Sequence, residues 1–215
     1  CACLNTDSRP NLGKRTRPCG GDMRACLSSV EVDALLSGLS GGVKCLDALL
    51  IYDFRTGRSS AAATRAVIDR ALDAVGSDSP WVVAPVHVRH HWVTGVFRRG
   101  AGAASVELQV FDSAPSPITR ADLRKICKGL HVSLVVFSPF RQKAGSNECG
   151  LFVLLYAILV RASLQRLVDY AATGCSSSVS LHSWRGHLAG KARLTTEDVT
   201  MIMRDVRLPP GVWSD

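Results

Sequence analysis

Four residue types in one order could do nucleophilic chemistry in this chain. Cys149–Gly150 opens the apolar run Leu151–Val160. A thiol at the first turn of a buried helix faces the positive end of the helix dipole, which favours thiolate below its ordinary pKa of about 8.5. Gly150 beside it is expected to allow a substrate backbone to come close. Gln142 precedes the thiol in Arg141-Gln-Lys-Ala-Gly-Ser-Asn-Glu-Cys149. A loop of that length can curl back, so that the side-chain amide and the backbone N–H of Cys149 hold a developing oxyanion. An imidazole at a strand end, from His87, His90 or His91, could take the thiol proton near neutral pH. Asp112, in Phe111-Asp112-Ser113, returns beside His91 if the flanking strands form a hairpin, and a carboxylate there would orient the ring. Taken singly, each has a plain alternative: a buried Cys is a small hydrophobe, and Asp before Ala114–Pro115 starts a turn.

The elements that must position these residues are readable in outline. Ser28 or Ser29 with Glu31 and Asp33 starts a capped helix through Val32, Leu35, Leu36 and Leu39, stopped by Gly41–Gly42. Cys45–Phe54 is apolar and fits helix or strand. Residues 59–75 repeat apolar positions at helical spacing, with Gly76 and Pro80 beyond them. Trp81–Val88, Trp92–Phe97 and Val106–Phe111 read as strands, with a hairpin turn in 98–103. Ile118–Gly129 reads as a helix entered through Thr119, and Leu130–Phe137 as a fourth strand. A long helix follows from Cys149 towards Tyr170. A small-residue loop spans 174–180, and a last helix spans Thr195–Val206. Helices, then strands, then helices give an α+β fold with a mostly antiparallel sheet. No internal repeat is apparent.

With those motifs in place, the chain resembles the ubiquitin-like-protein proteases of peptidase clan CE, which include SUMO-deconjugating enzymes and the adenovirus maturation protease. The likeness runs over residues 81–156. It rests on Pro85-Val-His-Val-Arg-His-His91-Trp92, Phe111-Asp112-Ser113, Gln142 and Glu148-Cys149-Gly150-Leu151-Phe152. The order His, Asp, Gln, Cys is more specific than any one motif. The resemblance selects His91 over His90. It implies a papain-like cysteine protease fold: a central mixed or antiparallel sheet flanked by helices, with the nucleophile at a buried helix N-terminus. It assigns Cys149 as nucleophile, His91 as base, Asp112 as orienting carboxylate and Gln142 as oxyanion donor. Trp92 is expected to pack beside the site, with Gly150, Gly145 and Glu148 lining the substrate channel. The implied substrate is a protein, either a ubiquitin-like modifier conjugate or a polyprotein. The same triad would also serve an acyltransferase, and a non-catalytic binding module could keep the fold.

Bulk properties narrow the classes. The chain has 215 residues and 47% hydrophobic content, enough for one domain with its own core. Residues 1–24, rich in Arg, Pro and Gly, read as a basic linker or tail, and 25–215 as the protease domain. Its 26 Lys and Arg outnumber 18 Asp and Glu, for a net charge of +8. Outside Arg9–Arg24 these cations are dispersed and no nucleic-acid motif appears, so specific nucleic-acid binding is not expected. The longest apolar run is too short to span a bilayer, so no membrane association is expected. The eight Cys residues form no compact disulfide framework, which suits a reducing, intracellular setting in the cytoplasm or nucleus. Cys1, Cys3, Cys19 and Cys26 match no zinc-finger spacing. No metal or other cofactor is expected, and the protein is expected to be a monomer. His131, His182 and His187 have no evident partner, which suggests surface or core roles.

Overall fold

The computed structural model of the chain describes residues 27–39, 44–48, 60–75, 81–88, 91–100 and 105–206. The expected tail at 1–24, Cys1, Cys3, Cys19, Cys26 and His90 lie outside the described residues, as do most of the ambiguous stretch 45–54 and the turn residues 101–104.

Helix α1 (Ser29–Leu36) begins at Ser28, whose hydroxyl caps the Glu31 N–H while the Glu31 carboxylate returns to the Ser28 N–H. This capping box satisfies two otherwise orphaned donors. A 3-10 turn, Ser37–Leu39, extends it. Strand β1 (Lys44–Cys45) follows, then helix α2 (Ala61–Ala74), capped by Ser60. Strands β2 (Trp81–Val88), β3 (His91–Arg99) and β4 (Val106–Phe111) form an antiparallel meander. Helix α3 (Pro117–Leu130) crosses back to strand β5 (Ser133–Phe137), which pairs parallel with β4. Strand β1 pairs parallel with β2, so the sheet is mixed, in the order β1-β2-β3-β4-β5.

Two expectations at α3 shift. The cap is Ser116, not Thr119: the Ser116 hydroxyl accepts the Thr119 N–H, and Pro117 takes the first helical position, where a missing N–H costs nothing. The strand begins at Ser133, not Leu130. His131 adopts a left-handed conformation (φ 54°) and closes the helix, while Arg65 of α2 donates to the Leu130 and His131 carbonyls.

The sheet is covered on both faces, as strand alternation dictates. Val82, Ala84, Val86 and Val88 turn to the face covered by α2 and α3, with Leu72, Leu123 and Leu130. Val83, Val96 and Phe111 turn to the other face. There helix α4 (Cys149–Ala172) packs across β3, and every residue of Leu151–Val160 is at most 1% exposed. Burying such side chains is worth roughly 1.5–3 kcal/mol each, so this segment anchors the fold. By length and composition α4 could cross a membrane, but most of it is buried within the protein. Its backbone leaves helical geometry at Ser163 (φ −169°, ψ 105°), whose hydroxyl accepts the Arg166 N–H and so starts a second helical piece.

Two features had no sequence signal. Strand β6 (Phe140–Arg141) pairs with β7 (Ser177–Ser178) inside the expected small-residue loop, and helix α5 (His182–Leu188) follows. The last helix, α6 (Thr196–Asp205), is capped by Thr195 in a box with Asp198. Gly38 lies against the Leu194 backbone, where a Cβ would sit 2.1 Å from the carbonyl oxygen. That approach lets Leu194 N–H bond to Leu35 O and ties α1 to the segment entering α6.

Candidate functional site

The meander folds the start of β3 back beside the end of β4. Thr94 pairs with Phe111 and His91 with Val88 of β2, which places His91 and Asp112 together at one rim of the sheet. His91 Nε2 lies 2.7 Å from Asp112 Oδ1. The Asp112 side chain is 2% exposed and that of His91 16%. Asp112 Oδ1 also accepts the Ala114 N–H at 2.8 Å, so the turn-initiating and ring-orienting readings of Asp112 hold together. Asp112 N–H donates to Phe137 O, fixing the carboxylate to β5. With Nε2–H given to Asp112, Nδ1 is the nitrogen left to accept a proton.

The loop after β6 arrives at the same rim. Gln142 N–H donates to Ser113 O, and the Ser113 hydroxyl donates to Gln142 Oε1 at 3.1 Å. Gln142 Nε2 donates to Ser146 O at 3.1 Å. An amide nitrogen carries two hydrogens, so one remains after that bond. The loop is held from below by Tyr156, whose hydroxyl donates to Phe140 O at 2.7 Å and accepts Phe140 N–H. Burial pushes the Tyr156 phenol far above its usual range, so it stays a neutral two-way clamp. Arg185 of α5 donates to Asn147 O at 2.7 Å.

Cys149 is the first residue of α4, 1% exposed, in one apolar cluster with Trp92, Phe111 and Phe140. Thr94 Oγ1 donates to Val153 O, linking β3 to the first turns of that helix. Trp92 Nε1 donates to Leu27 O at 3.1 Å, and the ring lies tilted by 47° against His87, with centroids 4.6 Å apart. The other described thiols differ. Burial pushes Cys45 up to about 11, with help from the Asp33 charge, and Cys127 up to about 12. Both are poor nucleophiles. Cys175 is exposed, and all four described cysteines are free thiols.

Three expected channel residues sit differently from one another. At Gly150 a Cβ would meet the Leu27 Cβ at 2.9 Å. The glycine is therefore required by packing of Leu27, not by an open approach for substrate. Glu148 is buried rather than channel-facing. One carboxylate oxygen takes a long 3.4 Å bond from the Ser180 hydroxyl, and Oε2 has no partner among the described residues. Gly145, with φ +75° and open space around it, does lie on the surface of the loop.

A chain of contacts links the four candidate residues. Gly150, next to Cys149, touches Leu27, and Leu27 holds Trp92, next to His91. His91 bonds Asp112, and Ser113 bonds Gln142. Gln142 in turn bonds Ser146, in the loop that leads into Cys149. Leu27 and Ser113 are the positioning residues that sequence reasoning missed. Leu27 acts through its carbonyl, which no residue type could advertise, whereas Ser113 was visible as part of Phe-Asp-Ser. Among the described residues, no cluster of His, Cys, Asp and Glu could hold a metal ion.

No protein-family model matches the chain, and no curated protein matches it. Solved structures do. The chain is similar to the Xanthomonas campestris effector protein XopD bound to ubiquitin, with a TM-score of 0.57 and 19% identity over 85% of this chain and 100% of that one. A second structure of Xanthomonas XopD, studied for the substrate specificity of ubiquitin-like protein proteases, gives 0.52 and 18% over 77% and 99%. The Ulp1-like SUMO protease catalytic domain of Chaetomium thermophilum gives 0.48 and 13% over 89% and 79%. The chain has the α+β fold of the ubiquitin-like-protein proteases, a mixed sheet between helices.

Proposed function

We propose that the chain is a cysteine peptidase that hydrolyses a peptide or isopeptide bond in a protein substrate. The observation that carries this reading is the 2.7 Å pairing of His91 with the buried Asp112, at the sheet rim tied by contacts to the helix that Cys149 opens. Asp112 fixes the ring tautomer and leaves Nδ1 to take the thiol proton. The Cys149 thiolate attacks the carbonyl carbon. The remaining Gln142 N–H and the backbone N–H of Cys149 hold the oxyanion. His91 returns the proton to the leaving amine, and the thioester is released by water that His91 deprotonates.

The fold supports a protein substrate, since XopD was solved with ubiquitin bound. A ubiquitin-like modifier is the favoured class. Trp92, bonded to the Leu27 carbonyl, packs beside the site as part of its buried support. A nucleophilic thiolate works best in a reducing compartment, the setting proposed for this enzyme.

The test is direct. A panel of ubiquitin-like proteins carrying C-terminal electrophiles should trap the wild-type chain at Cys149, and a glycine-ended fluorogenic peptide should be cleaved. Cys149→Ala and His91→Ala should each abolish cleavage. Full activity in either variant would exclude the mechanism.

A further inference from the structure

Helix α3 stands apart from the other helices in its charges. Arg120, Arg124 and Lys128 recur every four residues on its exposed side, with Lys125 beside them. Among the described residues, no carboxylate pairs with Arg120, Arg124 or Lys128. Lys125 is 80% exposed and only 3.9 Å from Asp122, the one acid of the helix, which is itself buried. The neighbouring α2 is built differently: Arg65 pairs with Asp69, and Asp69 and Asp73 receive Arg99.

Helix stability accounts for Lys128, in the last turn where the dipole favours a cation, but not for Arg120 and Arg124. α1 and α6 place Glu31, Glu197 and Asp198 in their first turns, as the dipole favours. α3 has no acid there and carries Arg120 just after the first turn, where a cation opposes the dipole. The stripe also has a direction. α3 starts shortly after Asp112, whose Oδ1 holds the Ala114 N–H, so its N-terminal end lies at the candidate site and its C-terminal end leads away from it. Ile118, 59% exposed, marks the end near the site.

We infer that the outer face of α3 is a docking surface for an acidic segment of the protein substrate. This rests on the peptidase reading above. The spacing suits an extended acidic strand. Cations four residues apart on a helix are about 6 Å apart along the axis, and same-side carboxylates on an extended chain are about 6.6 Å apart. Four cations and an exposed isoleucine fit a protein better than a nucleic acid, whose binders neutralise about 6–10 phosphates.

The experiment uses internally quenched peptides with one Gly–Gly cut, plain or carrying a run of Glu on the amino or the carboxyl side. The full wild-type chain should show a KM lower by about tenfold for one of the acidic peptides at low salt, an advantage that fades as salt screens it. The variant R120Q/R124Q/K128Q should lose that advantage while cleaving the plain peptide as the wild type does. An acidic run that helps on neither side, or an advantage that survives in the variant, overturns the proposal. So does an oligothymidylate that binds through the stripe while the acidic peptides gain nothing. If the wild type cleaves no peptide, the peptidase reading fails. Fluorescence anisotropy of the Glu peptides on the Cys149→Ala chain, with and without the three substitutions, then still decides the surface: stripe-dependent binding supports it and no binding overturns it.

Discussion

Among the described residues there are two histidine–aspartate pairs with the same contact distance. His91 Nε2 lies 2.7 Å from Asp112, and His187 Nε2 lies 2.7 Å from Asp198. Both carboxylates are buried, at 2% and 1% side-chain exposure. Their surroundings differ. Asp198 also receives the Lys191 ammonium and the N–H and hydroxyl of Thr195, so it is the reciprocal half of the α6 capping box and the centre of a cationic knot. Burial alone would raise its pKa. The Lys191, Thr195 and His187 contacts outweigh burial and hold it well below the carboxylate range. Among the described residues Asp112 has no Lys or Arg partner, and its side-chain hydrogen bonds are to His91 and one backbone N–H. A histidine–aspartate pair is therefore not a site in itself. At 187/198 the pair is consumed in holding α5 to α6. At 91/112 the pair stands at the rim to which the helix opened by Cys149 is linked.

The largest test of that contrast is functional. His91→Ala should lower kcat/KM for a glycine-ended substrate by at least about a thousandfold, while His187→Ala should leave it within a few-fold. Equal losses would erase the distinction. Asp112→Asn comes next. It keeps the shape but presents the wrong group to the ring, so kcat should fall by about a hundredfold or more with little change in melting temperature. Asp198→Ala should do the reverse. It removes a cap and leaves Lys191 without its buried partner, costing about 2–4 kcal/mol in denaturant unfolding, with kcat of the folded fraction unchanged.

A pH series sharpens the same point with a smaller effect. The folded pKa of Asp198 is depressed below its ordinary 3.8. Its contribution to stability is therefore fully present above about pH 4 to 5 and is lost as pH falls through and below that value. Wild type should lose melting temperature between pH 5 and pH 3 (roughly one carboxylate's titration span) more steeply than Asp198→Asn. Parallel curves would show that the knot carries no such linkage.

The second pair also shows what the sequence could not reveal. His187 has no partner by spacing, because Asp198 reaches it only once α5 and α6 pack, and α5 itself gave no periodic signal. The first pair was legible because its members end two strands whose alternation is clear, and a hairpin must bring such ends together. Val106–Phe111 was readable to the residue from its alternation, and Trp81–Val88 from its β-branched run. Strands β6 and β7 were not, since two-residue pairings carry no pattern. The cap of α3 was misplaced by three residues because Ser116 and Thr119 both suit the role, and only Pro117 between them decides it. Gly150 was read for substrate access, although its neighbour Leu27 lies far away in sequence and sets the requirement.

The departure from helical geometry at Ser163 has a practical corollary. The rod bearing Cys149 ends there, and the piece beyond it, through Ala172, is mechanically a separate strut. Gly174–Cys175 is exposed at the tip of that strut. A dye, tether or inserted peptide placed at this tip would load the distal strut and, through β7, strand β6 and the Gln142 loop, while the rod bearing Cys149 would feel the load only indirectly.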